Sequence, residues 1–387
     1  MDEKRDNLIV EQSEEAQEVD TTTQPENPRK KSNKIWGNIF FVVSIALSLY
    51  LIYGLSRKAG SGSEKTFVEV WANVNVKYLL ISVTTLLAMM ALDSLKYYVI
   101  MRATKIGAGY KTALTVGLLG KYYDYITPFS SGGQPMQIYY LHKRGIGGGE
   151  SSAVIFIKFA YNMSMWLAIC FCLMIFNRNA LFQYVTDATN IKVLQIAGWL
   201  GFAVNCTLPT LIICCVLLPK MTWAITRWAL NVGHKLKIVK NKDAVFTRAK
   251  NAVDEFVSAF VSMVKKPLHS VVLALLCFAE PLLGMMLPYF VVVALGGSAV
   301  IPSADLMFAI MTLNVYVQMS VTVVPTPGNS GAMESAFMMT LVNVSEGVLF
   351  WTVFSWRFLS YYSYIIIGLI ITVIHLIKRN RRTRRNV

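Results

Sequence analysis

Ile126-Thr-Pro-Phe-Ser-Ser-Gly-Gly-Gln-Pro135 and Val324-Pro-Thr-Pro-Gly-Asn-Ser-Gly-Ala-Met-Glu334 interrupt two apolar regions of one chain. They align as Thr127 with Thr326, Pro128 with Pro327, Ser131 with Ser330 and Gly132 with Gly331. Proline removes an amide donor and glycine frees the backbone, so neither stretch reads as continuous helix. At membrane depth, non-helical backbone is tolerated only where protein or a water-filled cavity satisfies its N–H and C=O groups. Paired breaks at corresponding positions therefore point to a polar pathway between two related halves.

The rest of the chain supplies the membrane. Of its 387 residues 55% are hydrophobic and 15% charged, against about 25% charged in soluble domains, and its mean hydropathy is +0.48. Runs of about 20 apolar residues mark spans, and they fall at 35–55, 78–101, 152–176, 192–218, 268–296 and 347–377. The two broken regions, 112–141 and 305–345, stand apart from these. The fold class is all-α: a polytopic membrane protein with about six full spans and two broken-helix hairpins.

A net charge of +15 could suggest a nucleic-acid partner, but the basic residues flank spans. Arg29, Lys30, Lys31 and Lys34 precede the first, Arg102, Lys105 and Lys111 follow the second, and Lys378 to Arg385 closes the chain. The 219–267 loop adds ten more, among them Lys220, Arg227, Lys250 and Lys266, interleaved with Trp223, Trp228 and Phe246. That mixture reads as an amphipathic helix on an anionic leaflet. The positive-inside rule places all these flanks, and both termini, in the cytoplasm. Region 112–141 then enters and leaves from the cytoplasm and 305–345 from outside, so the hairpins have opposite orientation. The domain reading is a disordered cytoplasmic tail (1–34), a transmembrane domain (35–377) containing the basic 219–267 loop, and a basic cytoplasmic tail (378–387).

Charges inside apolar runs are expensive, about 2.5–3.5 kcal/mol each on insertion scales, so they should face one another or a polar cavity. Asp93 and Lys96 lie three apart, as do Lys121 and Asp124, and each pair can share a helix face. Local neutralisation and a role in a pathway both fit that spacing. Glu280, Glu334 and Arg357 have no local counter-ion, which directs them to distant partners, a ligand or water. Lys158 lies close enough to a predicted span end to snorkel to the surface. In the breaks, Ser130, Ser131, Gln134, Asn329 and Ser330 offer neutral hydrogen-bonding groups, Gly132, Gly133, Gly328 and Gly331 admit close approach, and Pro327 fixes the turn. Helices starting after each break would present free amides suited to a phosphate or carboxylate.

Soluble-enzyme signatures are absent: the sequence contains no HExxH, GxSxG or GxxxxGK[ST]. The six cysteines lie in apolar runs without zinc-ligand spacing and read as small core residues. The four histidines are scattered near span edges. No metal, cofactor or nucleotide is expected.

Gly120-Lys-Tyr-Tyr-Asp-Tyr-Ile-Thr-Pro-Phe-Ser-Ser-Gly-Gly133, Pro325-Thr-Pro-Gly-Asn-Ser-Gly-Ala-Met-Glu334 and Arg357-Phe-Leu-Ser-Tyr-Tyr-Ser-Tyr-Ile-Ile-Ile-Gly368, in that order, resemble the flippase-like membrane domain of lysylphosphatidylglycerol synthases, the multiple peptide resistance factor family. The resemblance implies a bacterial plasma membrane and movement of aminoacylated phosphatidylglycerol between leaflets, which protects against cationic antimicrobial peptides. In bifunctional members a separate soluble domain transfers the amino acid from tRNA. The longest polar loop here has about 49 residues, short of the 100–150 usual for a domain, so that transferase is expected to be missing. Gln134-Pro135 stands where relatives often carry a charge, and Lys158 where an arginine is common, so the headgroup could be another phospholipid, a glycolipid or a lipid-linked sugar.

The expected function is thus translocation of a polar lipid and not catalysis. Lys121, Asp124, Ser131, Gly132, Gly133, Gln134, Glu280, Pro327, Gly328, Asn329, Ser330, Gly331, Glu334 and Arg357 would form the headgroup path, Arg357 drawing the phosphate and Glu334, with Glu280 or Asp124, a cationic group. Partners would be the membrane lipid and a lipid-modifying enzyme. The alternative is phosphatidylglycerol lysyltransferase, alone or with a separate soluble subunit, which would bring lysyl-tRNA as a partner. A third reading is a non-transporting organiser of lipid-synthesis enzymes.

Overall fold

The structure is a computed structural model describing residues 65–185, 187–218, 242–297, 300–345 and 347–383, with Tyr50 and the pairs 223–224, 227–228 and 231–232. The expected first span, the acidic tail before it and much of the basic loop lie outside the described residues. Within them, every regular element is helical.

In chain order the helices are α1 (Phe67–Ala72), α2 (Val76–Ala103), α3 (Tyr110–Ile126), α4 (Gly133–His142), α5 (Gly148–Phe176), α6 (Asn179–Tyr184), α7 (Ala188–Leu217), α8 (Lys242–Val264), α9 (Pro267–Gly296), α10 (Ala304–Ser320), α11 (Ala332–Leu341), α12 (Leu349–Arg357) and α13 (Ser363–Thr383). Among the described residues, five stretches are long and apolar enough to cross a membrane: Val76–Ala103, Gly148–Phe176, Ala188–Cys214, Pro267–Gly296 and Leu349–His375. These coincide with five of the six expected spans. The chain is a polytopic, all-α membrane protein.

The last span is two helices joined by a π-helical turn, Phe358–Tyr362. A π-turn inserts a residue into the ladder and is a frequent mark of functional positions. By contrast α9 stays helical through Pro281 and Pro288, although each proline removes one backbone donor.

The two breaks fold alike. A 17-residue helix, a three-residue 3₁₀ turn and a 10-residue helix make the first hairpin (α3, Pro128–Ser130, α4), and the same lengths make the second (α10, Pro327–Asn329, α11). At 1.5 Å per residue the longer arm is about 26 Å and the shorter about 15 Å, so neither crosses a hydrocarbon core of about 30 Å alone. The dihedrals agree too: Phe129 has φ 55°, ψ 17° and Gly328 has φ 56°, ψ 26°, while Ser130 and Asn329 have φ 50° and 54°. The two tips touch, and α3 packs between α2, α4 and α13.

Burial separates the hairpins. Pro128 and Ser131 are exposed and Phe129 is 59% exposed, whereas Pro327, Gly328, Ser330 and Gly331 are all buried. Around them α2 packs along α9, α10 along α7, and α8 along α5. Among the cysteines, Cys170 and Cys277 are buried as expected, but Cys172 is exposed on the outer face of α5, so the core reading fails there.

Gly328 combines a positive φ with contact: a Cβ there would strike the Tyr361 ring. Gly328→Ala should therefore lower the melting temperature in detergent by an amount corresponding to about 1–2 kcal/mol of left-handed strain or more. Phe129→Ala, at the same φ on the exposed tip, should leave it close to wild type.

Candidate functional site

Charged side chains gather near the middle of the spans in two separate groups. The first begins on α2, where Asp93 and Lys96 are both buried. Their mutual distance is 3.8 Å, but each has a closer partner from another helix. Lys96 Nζ donates to Glu280 on α9 at 2.9 Å and to Asn162 on α5 at 2.5 Å. Lys158 Nζ lies 2.8 Å from Asp93 Oδ1 and 5.1 Å from the centre of the Tyr97 ring. The local pairing is thus kept at 3.8 Å and supplemented by shorter pairs to other helices. The snorkelling expected of Lys158 does not occur. Its helix begins at Gly148, earlier than the hydropathy run, and carries the amine inward.

Beside these pairs is a cavity of about 100 Å³, lined by Asp93 and Tyr97 from α2, Gly117, Lys121 and Asp124 from α3, Gln134 and Gln137 from α4, and Lys158, Phe159 and Asn162 from α5. Gln137 closes one wall by donating to Tyr97 Oη at 2.8 Å and to the Val116 carbonyl at 3.0 Å. It reaches there because Gly120 has no side chain; a Cβ would collide with the Gln137 amide. Lys121 lines the cavity with no hydrogen bond or ion pair among the described residues. Asp124 makes no ion pair either, but accepts a hydrogen bond from Gly133 N–H at 2.9 Å, the first amide of α4. Thr127 Oγ1 accepts from Gly132 N–H at 2.9 Å. The amides expected to be free after the first break are therefore largely engaged by the protein.

The second group lies on the second hairpin. Arg357, at the end of α12, donates from Nε to Glu334 Oε1 at 2.5 Å and from Nη2 to the Gly328 carbonyl at 2.8 Å. Glu334 accepts from Gly331 N–H at 2.6 Å through Oε2. The guanidinium also sits 4.4 Å from the centre of the Tyr361 ring. Tyr361 links the tips: its hydroxyl donates toward the Tyr125 carbonyl at 3.2 Å and accepts from Ser330 Oγ at 3.3 Å. In this conformation Arg357 and Glu334 face each other and not the cavity, with Arg357 4% and Glu334 0% exposed.

Of the residues expected along one path, Lys121, Asp124 and Gln134 line the cavity, and Gly133 caps onto Asp124 beside it. Glu280 is spent on Lys96. Ser131, Gly132, Pro327, Gly328, Asn329, Ser330 and Gly331 form the tips, and Glu334 and Arg357 the clamp behind the second. Tyr97, Gln137 and Asn162 escaped the sequence reading. Asn162 lies one turn after Lys158 and Gln137 one turn after Gln134, and that spacing could have found them.

The family model described as "Lysylphosphatidylglycerol synthase TM region" matches residues 41–368. The chain belongs to that family. Both hairpins, the cavity and the Glu334–Arg357 clamp fall within the stretch shared with the lysylphosphatidylglycerol synthase TM region. A search of curated proteins and one of solved structures each found no match.

The clamp yields a double-mutant prediction. Removing one partner of a buried pair costs about 3–5 kcal/mol, while replacing both costs far less. Arg357→Met and Glu334→Gln should each reduce folded protein in detergent, and the double variant should melt above the value expected from adding the two losses.

Proposed function

We propose that this protein moves the headgroup of a polar lipid between the leaflets of a bacterial plasma membrane, the acyl chains staying in the bilayer. The lipid we favour is aminoacylated, lysyl-bearing phosphatidylglycerol, with related phospholipids and glycolipids as the neighbouring class. Family membership supports a lipid task. The observation that carries the reading is the mixed-charge cavity between the first hairpin and two spans, in which Lys121 makes no hydrogen bond or close ion pair among the described residues. A partly buried cation with carboxylates nearby but no direct hydrogen bond to any of them is suited to draw a phosphodiester. At about 100 Å³ the cavity has room for the phosphate of a headgroup and none for an acyl chain. Lys121 thereby takes the role that charge alone suggested for Arg357, which serves instead to hold the second tip.

The proposed topology has six full spans, oppositely oriented hairpins and both termini in the cytoplasm. Basic flanks support it, as does the matching 17-3-10 construction of the hairpins. A cysteine at Asn179 should react with an impermeant reagent only from outside; labelling from the cytoplasm alone would remove both the topology and the inverted arrangement.

Function is tested in reconstituted vesicles. The purified chain should move acyl-labelled lysyl-phosphatidylglycerol between leaflets without aminoacyl-tRNA, and tRNA-dependent lysyl-lipid synthesis by this chain would make it an enzyme instead. Lys121→Gln should slow translocation about tenfold or more, the worth of one charge-assisted hydrogen bond, at an unchanged melting temperature.

A further inference from the structure

We infer that Asp124 discriminates headgroups by charge: its carboxylate receives the ammonium of an amine-bearing lipid, at the place where Arg357 supplies the cation in the other hairpin. The inference rests on the transport reading and adds to it the residue that sets specificity.

The argument comes from comparing the two hairpins. Each break leaves amides at the start of a 10-residue helix, and in each a carboxylate accepts one of them: Asp124 Oδ1 from Gly133, Glu334 Oε2 from Gly331. In the second hairpin the other carboxylate oxygen holds Arg357, delivered by the helix that follows. In the first, Pro135 occupies the position aligned with Glu334, so the carboxylate comes from the preceding helix α3. The helix that follows does deliver a cation, Lys158, but this turns to Asp93 at 2.8 Å. Asp124 is left lining the cavity, with Oδ2 free of hydrogen bonds and ion pairs among the described residues. One half of the molecule completes its carboxylate with its own guanidinium, and the other leaves that place open.

Charge balance gives the ligand its form. Four ionised groups line the cavity, and the Asp93–Lys158 pair cancels two of them. Lys121 and Asp124 remain, one turn apart on α3. A headgroup with a phosphodiester and an ammonium answers both. One with a phosphodiester alone satisfies Lys121 but meets Asp124 as a like charge with no ammonium to offset it, which disfavours it against the amine-bearing lipid.

The test compares two lipids differing in the amine. Wild type, Asp124→Asn and Asp124→Glu are reconstituted at matched amounts of monodisperse protein with acyl-labelled lysyl-phosphatidylglycerol or acyl-labelled phosphatidylglycerol. Asparagine keeps an oxygen to cap Gly133, so the hairpin should persist. Wild type should move the lysyl lipid faster; Asp124→Asn should slow it about tenfold while phosphatidylglycerol moves as fast or faster, and Asp124→Glu should restore the preference. Equal loss for both lipids, or an undiminished preference in Asp124→Asn, would overturn the assignment. Should wild type move neither lipid, the transport reading fails, and calorimetric titration with dihexanoyl forms of the same lipids decides on Asp124 separately. A wild-type preference for the amine that Asp124→Asn abolishes upholds it, and equal affinity of wild type for both refutes it.

Discussion

A helix that breaks inside a bilayer frees amides and carbonyls that lipid cannot satisfy. The polar side chains of both hairpins answer that demand. At the first break Thr127 accepts from Gly132 and donates to the Tyr123 carbonyl at 2.7 Å, while Asp124 takes Gly133. At the second, Glu334 takes the Gly331 amide and Arg357 takes the Gly328 carbonyl. Once a carboxylate is spent on an amide it is an anion in an apolar place, and it needs a cation in turn. The clamp of the second hairpin and the open carboxylate of the first are two outcomes of one backbone requirement.

The same frame serves two purposes. The second tip is buried against α12 and the π-turn, with Tyr361 reaching across to the Tyr125 carbonyl. The first tip shows Phe129 outward and keeps its polar cavity on the side of α2 and α5. Deep burial and an internally closed salt bridge suit a fixed support, and a cavity lined by a cation and a carboxylate that make no direct ion pair with each other suits a site that exchanges ligands. Tyr361 joins the two through its hydroxyl, which meets Ser330 at the second tip and the Tyr125 carbonyl beside the first.

Much of the fold was legible because its causes are local. Apolar run length marks spans, and Gly-Pro clusters mark breaks at Thr127 and Thr326. Charge partners were less legible, since pairing is settled by packing between distant segments: Lys96 meets Glu280 across 184 positions, and nothing in the spacing of Asp93 and Lys96 foretells that each prefers another helix. Lys158 was misplaced because hydropathy sets the span at 152 whereas α5 starts at Gly148. Neutral residues such as Asn162 and Gln137 carry no hydropathy signal strong enough to stand out among apolar neighbours. Arg357 and Glu334 were each recognisable as costly, but their choice of one another required the hairpin to be folded.

The separation between Lys96 and Glu280 also bears on how the protein is made. At about 5–20 residues per second, a gap of 184 residues delays Glu280 by roughly 10–40 s. During that interval α2 is already synthesised, with an ammonium whose final counter-ion does not yet exist. Lys158 emerges earlier, and until α9 follows Lys96 has Asp93, one turn away on its own helix, as its nearest carboxylate. The order of translation thus lets the pairing within α2 form first and the pairing across 184 residues form last.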